Sequence, residues 1–162
     1  MSDSALDLEG LEQRRDVPGL VAALADSKAI LHAIEALGRV RAVDALIAAC
    51  EHPDVAARML AARVLGEIGD PGALDALAGL VDQAAPRAAA IEALGKLGAV
   101  AIPTLAALTQ HEKPVISVRA AVALKNAYLV AAEHPPPSTP TGTSSADRSD
   151  PAPRKPWWMF WK

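Results

Sequence analysis

At 162 residues the chain has room for one ordinary domain plus a tail. Half of it is apolar (51%) but only 3% is aromatic. Alanine, the best helix former, fills the difference, so an all-α body of thin, closely packed layers is expected. A formal net charge of −3 on mixed positions offers no electrostatic footprint for nucleic acid, and the single Cys50 excludes an intramolecular disulfide.

Residues 1–10 read as an acidic N-terminal extension without the basic region and apolar run of a signal peptide. No stretch approaches ~18 uninterrupted apolar residues, so no membrane span is expected, and a cytoplasmic, reducing location is the default. From 11 to 132 apolar helical segments alternate in pairs. First helices are expected at about 17–25, 41–51, 72–82 and 100–110, and second helices at about 28–38, 55–67, 86–97 and 115–132. Asp16 and Asp54 stand as N-caps, Glu51–Asp54 and Gly69–Gly72 as turns, and Gly38, Gly66 and Gly95 as residues closing the second helices.

The pairs are an internal repeat. Ile34–Gly38, Arg63–Gly66 and Glu92–Gly95 superpose, with a weaker copy at Val122–Asn126, so that Leu37, Leu65, Leu94 and Leu124 recur at spacings of 28, 29 and 30. Such a period means stacked two-helix units. The run from Ala57 through Leu65-Gly66-Glu67-Ile68-Gly69-Asp70-Pro71 to Leu77 resembles the short HEAT-like repeat of the phycocyanobilin-lyase type: Val-Arg, alanines, Leu-Gly, Ile-Gly-Asp and a following helix. The resemblance covers roughly residues 11–132 and implies a short α-solenoid of about four HEAT-like helix pairs. It also implies that the arginine of the Val-Arg pair is a rung bonded to a neighbouring repeat. That slot holds Arg58 and Arg87, but Ile30 and Ser117 in the outer copies.

In register, the second helices carry charge at two further slots, Glu35, Arg63, Glu92 and, one turn later, Arg39, Glu67, Lys96. Each i,i+4 pair is of opposite sign and the sign alternates between repeats. The strip is either a recognition surface or a self-neutralised structural lattice with Glu35, Arg63 and Glu92 as rungs. Beside it run Leu31, Met59, Ala88 and Val118, which either line a groove for a partner helix or peptide or belong to the core.

Chemistry is sparse. His32, His52, His111 and His134 share no helix face at ligand spacing, and His52 and His111 fall at turns, where a capping or solvated role is expected. His111-Glu112 is similar to the iron-binding pairs of HEAT-repeat deoxyhypusine hydroxylases, but it is a single pair outside the start of a second helix. Cys50 reads as a packing residue rather than a nucleophile. No metal, cofactor or catalytic residue is expected. Lyase subunits of the resembled type attach bilins to phycobiliprotein cysteines, so the resemblance also implies a lyase-like alternative. These short repeats lack the aromatic and charged anchors that a tetrapyrrole cleft calls for.

After Glu133 the composition changes. Residues 133–156 read as a disordered Pro/Ser/Thr-rich linker, with seven prolines between 134 and 156, able to span about 25–30 Å as a coil or about 70 Å extended. Residues 157–162 hold Trp157, Trp158, Phe160 and Trp161, four of the five aromatic side chains, as a docking peptide. Three readings stay open for it: a hook for a protein partner, an interfacial membrane anchor aided by Arg154, Lys155 and Lys162, or a cover for an apolar surface of the same chain or a second copy. The chain as a whole reads as a non-enzymatic adaptor that holds protein partners on its repeat surface, with membrane contact through the tail as the alternative.

Overall fold

The computed structural model describes residues 7–133, so Trp157, Trp158, Phe160, Trp161 and His134 lie outside the described residues. The described residues are helical throughout: α1 (Leu8–Gln13), α2 (Val17–Ala23), α3 (Ile30–Arg39), α4 (Val43–Ala49), α5 (Val55–Ile68), α6 (Leu74–Leu80), α7 (Arg87–Lys96), α8 (Ile102–Leu108) and α9 (Pro114–Glu133), with 3-10 turns at Pro71–Ala73 and Gly98–Ala101. The four expected pairs are therefore α2/α3, α4/α5, α6/α7 and α8/α9. Capping follows the sequence: the carboxylates of Asp16 and Asp54 accept from the N–H groups of Gly19 and Ala57.

The second helices α3, α5, α7 and α9 pack side by side in an unbroken row, each also packing on its own first helix. The first helices have no comparable contact with one another. A two-layer stack whose one layer is more tightly spaced curves toward that layer, which puts the second helices on the inner side. The core lies between the layers. Leu20, Ile34, Leu37, Leu46, Leu65, Leu77, Ile91, Leu94, Leu105 and Ile116 are fully buried, and no charged or polar side chain is buried among the described residues. Each such side chain contributes about 1.5–3 kcal/mol on burial, so aliphatic residues suffice without aromatics.

Two expectations change. Gly38, Gly66 and Gly95 do not close helices; each lies inside one, at the contact with the next second helix. A Cβ on Gly66 would stand 2.7 Å from the Cα and Cβ of Ala93, and one on Gly95 would stand 3.0 Å from the carbonyl oxygen of Ala123. The missing side chain is what lets neighbouring repeats approach. In the fourth copy the same slot is an exposed Lys125, with no further described repeat to meet it. The left-handed residue that ends each helix comes later, at Arg15 (φ 53°), Arg41 (φ 57°), Gly69 (φ 71°) and Gly98 (φ 66°).

The second change is at the N-terminal boundary. α1 crosses residue 10 and packs on both α2 and α3, so among the described residues the helices begin at Leu8, ahead of the first expected pair. Its short length hides it from periodicity, but Leu11 stands four residues before Arg15 as Leu37 does before Arg41.

Candidate partner-binding surface

The row of second helices presents one side chain per repeat at each slot. Leu31 and Met59 are 42% and 40% exposed, Ala88 is half-buried, and Val118 is 65% exposed. Of the two readings of this series, the surface is where the structure places it. The buried stripe is the neighbouring one, Ile30, Ile34 and Leu37 in α3.

The charge ladder is only partly self-paired. Glu92 and Lys96 meet at 3.4 Å, but Arg39 turns away from Glu35 to Glu12 of α1, at 3.1 Å. Among the described residues Glu35, Arg63 and Glu67 form no ion pair; they line an open groove of about 460 Å³ together with Arg39, Arg41 and Leu60. All three are exposed, and water competes well with pairs worth under about 1 kcal/mol, so nothing holds these long side chains together.

The arginine rungs act within a repeat, not between repeats. Arg58 donates from Nη1 to the carbonyls of His52 (2.7 Å) and Pro53 (3.0 Å), and Arg87 donates to those of Val81 (2.8 Å) and Asp82 (3.2 Å). These carbonyls follow the first helix, where acceptors lack helical partners, and they lie five or six residues before the arginine. Each guanidinium thus ties a second helix to the end of its own first helix. Arginine bonds to the backbone of the next repeat come instead from Arg15 and Arg41, which sequence reasoning passed over: their Nη2 atoms donate to the carbonyls of Val40 and Ile68, each at 3.3 Å. The signal was the residue four beyond each repeat leucine.

The fourth repeat breaks the ladder. Val122 occupies the slot of Glu35, Arg63 and Glu92, and Asn126 that of Arg39, Glu67 and Lys96. Val122 is 68% exposed and, with Val118, Ala88 and Ile91, lines an open groove of about 480 Å³ between α7 and α9. Val115 and Leu129 extend the apolar face along α9, and Tyr128 is exposed at its edge. By length and composition alone α9 is apolar enough to cross a membrane, which the search for uninterrupted runs did not anticipate. Here it packs on α7 and α8 through Ile116, Ala120, Ala123 and Ala127 and carries Arg119 and Lys125.

Reactive groups are quiet. Cys50 is buried, and burial, with the charge of Glu51 second, pushes its thiol up to about 11, so it is a protonated packing residue at neutral pH. The Nδ1 atoms of His52 and His111 accept from the N–H groups of Asp54 and Lys113, the same turn cap in two repeats. The described residues contain no group of three potential metal ligands.

Stacked two-helix units with glycine contacts on one row define an α-solenoid of HEAT type. Residues 17–87 match HEAT repeats, and residues 86–111 match the PBS lyase HEAT-like repeat. Among solved structures the chain is similar to the complex of CpcE and CpcF of phycocyanin lyase from Nostoc sp. PCC7120, at 29% identity and a TM-score of 0.57. That likeness covers 80% of this chain and 62% of the other, so the chain spans less than two thirds of its structural relative. No curated protein matches. The chain is thus built of HEAT repeats and is similar, at the level of fold, to the phycocyanobilin-lyase HEAT-like type.

Proposed function

We propose that the protein is a non-enzymatic cytoplasmic scaffold that binds protein partners on its second-helix surface and tethers them through the Trp157–Trp161 segment. The observation that carries the reading is the exposed apolar row Leu31, Met59 and Val118 on the inner layer, ending in the α7–α9 groove. Aliphatic side chains presented in a row on a curved stack suit the apolar face of a helix or peptide. HEAT repeats support protein partners in general. The test is co-purification with the full chain against Leu31→Asp/Met59→Asp/Val118→Asp. Loss of a stoichiometric partner from the variant supports the reading, and an unchanged partner set overturns it.

A bilin-lyase-like subunit is the second reading, favoured by the likeness to the lyase complex. Its test is covalent bilin attachment to an acceptor phycobiliprotein, with and without the full chain. For the tail, a membrane surface is the competing site, and flotation of the full chain with anionic vesicles separates lipid from protein docking.

A further inference from the structure

Exposed large apolar side chains concentrate on α9. Val115, Val118, Val122, Tyr128 and Leu129 belong to it, against Val21, Leu31, Val55 and Met59 on all other described helices. Val115, Val118, Val122 and Leu129 recur at helical spacing on one face, turned away from the buried Ile116, Ala120, Ala123 and Ala127. An exposed apolar cluster of this kind marks an interaction site. The question is what covers it.

The chain supplies an occupant of matching chemistry at matching distance. Trp157 lies 24 residues beyond Glu133, the last residue of α9. A flexible segment of that length has a root-mean-square span of about 25–30 Å. Val118 and Val122 lie 15 and 11 residues back along the same helix, about 17–23 Å from its end at 1.5 Å per residue. A linker whose span is close to the separation gives an effective concentration in the ~mM range, which no partner at cellular abundance matches easily.

Composition favours α9 over the rest of the row. Leu31 and Met59 are each followed one turn later by a charged side chain, Glu35 and Arg63, whereas Val118 is followed by Val122, so the fourth repeat offers two consecutive apolar turns, bordered by Glu92, Arg119 and Asn126. Net charge over the two segments is opposite in sign, while the groove itself is bordered by one acidic and one basic side chain, Glu92 and Arg119. Residues 7–133 carry sixteen acidic and twelve basic side chains, while 134–162 carry two acidic and four basic.

We infer that the Trp157–Trp161 segment folds back onto its own chain and covers the α7–α9 groove at Val118 and Val122. Partner binding at that end of the row then displaces the segment and frees it to tether, which rests on the scaffold reading and adds an internal competitor to it.

All three tryptophans of the chain lie in this segment, at 157, 158 and 161, so tryptophan emission reads the tail alone. The experiment is emission and acrylamide quenching of the monomeric full chain over a dilution series. It is repeated for Val118→Asp/Val122→Asp and for Leu31→Asp/Met59→Asp, with helix content followed by circular dichroism. The inference expects blue-shifted, quench-protected emission independent of concentration. It expects that emission to return to the value of tryptophan in water in the α9 variant and to be unchanged in the other. Water-like emission in the parent chain overturns it. So does a blue shift that survives the α9 substitutions, one that grows with concentration and marks a second copy, or one that appears only with anionic vesicles. If the α9 variant loses helix content, a nitroxide on Val122→Cys replaces it: contact quenching of tryptophan there but not from Met59→Cys supports the inference, and equal or absent quenching overturns it. Partner co-purification is a separate measurement, so scaffold and tail docking fail independently.

Discussion

Gly66 of α5 lies against Ala93 of α7 with no room for a methyl group between them: a Cβ on the glycine would stand 2.7 Å from the alanine Cα. Backbone meets backbone here, and the row of second helices is only as tight as this contact allows. Gly38 has the same role one repeat earlier, where its obstacle is a methyl of the buried, β-branched Val64, at 2.5 Å. Gly79 in α6 has nothing within 4 Å.

The three positions therefore separate packing from propensity. Gly66→Ala is expected to destabilise by about 1–3 kcal/mol through overpacking. Gly38→Ala should also destabilise, since Val64 has little rotamer freedom in α5, and Gly79→Ala should stabilise by about 0.5–1 kcal/mol because helix propensity acts unopposed. Urea unfolding of the three variants checks the order. A Gly66→Ala as stable as the parent would mean that the repeats are not in this contact.

The arginines of α5 divide in the same way. Arg58 donates to two carbonyls from a half-buried position, whereas Arg63 is exposed and has no ion pair among the described residues. Arg58→Ala is expected to cost about 1–3 kcal/mol, since carbonyls bonded to a charged donor lose that partner. Arg63→Ala should fall within about 0.5 kcal/mol of the parent, as surface substitutions do. Equal effects in thermal melts would return Arg63 to the structural ladder that its sequence slot suggested.

Much of the fold is legible because each repeat restates it. Leu37, Leu65 and Leu94 fix the period, and Asp16 and Asp54 mark where helices begin. The role of the glycines is not legible, because a glycine after the last apolar residue of a helix reads the same whether it turns the chain or admits a neighbour. Gly66 is followed by Glu67 and Ile68, still helical, and the turn belongs to Gly69. Nor does periodicity separate Leu31 from Ile34: both are apolar on α3, and only packing against the next helix decides that Ile34 is buried. At the α9 surface the readable signal was an absence of charge, valine where three earlier repeats hold Glu35, Arg63 and Glu92.

Arg41 combines strain with a bond. At φ 57° it sits where a side chain costs roughly 1 kcal/mol relative to glycine, and its guanidinium donates to the carbonyl of Ile68 across the repeat boundary. Arg41→Gly removes both effects and is expected to be near neutral, while Arg41→Ala keeps the strain and loses the bond, at about 1 kcal/mol. Denaturant midpoints should therefore place alanine below glycine. The reverse order would show that the left-handed conformation is not retained in solution.

Cys50 gives the array a pH dependence at its alkaline end. Its thiol titrates near the ordinary value of 9.0 in the unfolded chain and at about 11 in the folded one, so between these values the folded state holds a proton that the unfolded state has released. Stability from this group is complete below pH 9.0 and falls as pH rises toward about 11, by on the order of 2–3 kcal/mol. Cys50→Ala leaves a small cavity at all pH values but removes this slope, so the difference in unfolding free energy between parent and variant should shrink from neutral pH to pH 11. The same burial should make alkylation of Cys50 track global unfolding. A parallel pH dependence in both proteins, or rapid alkylation of the folded chain, would place the thiol at the surface.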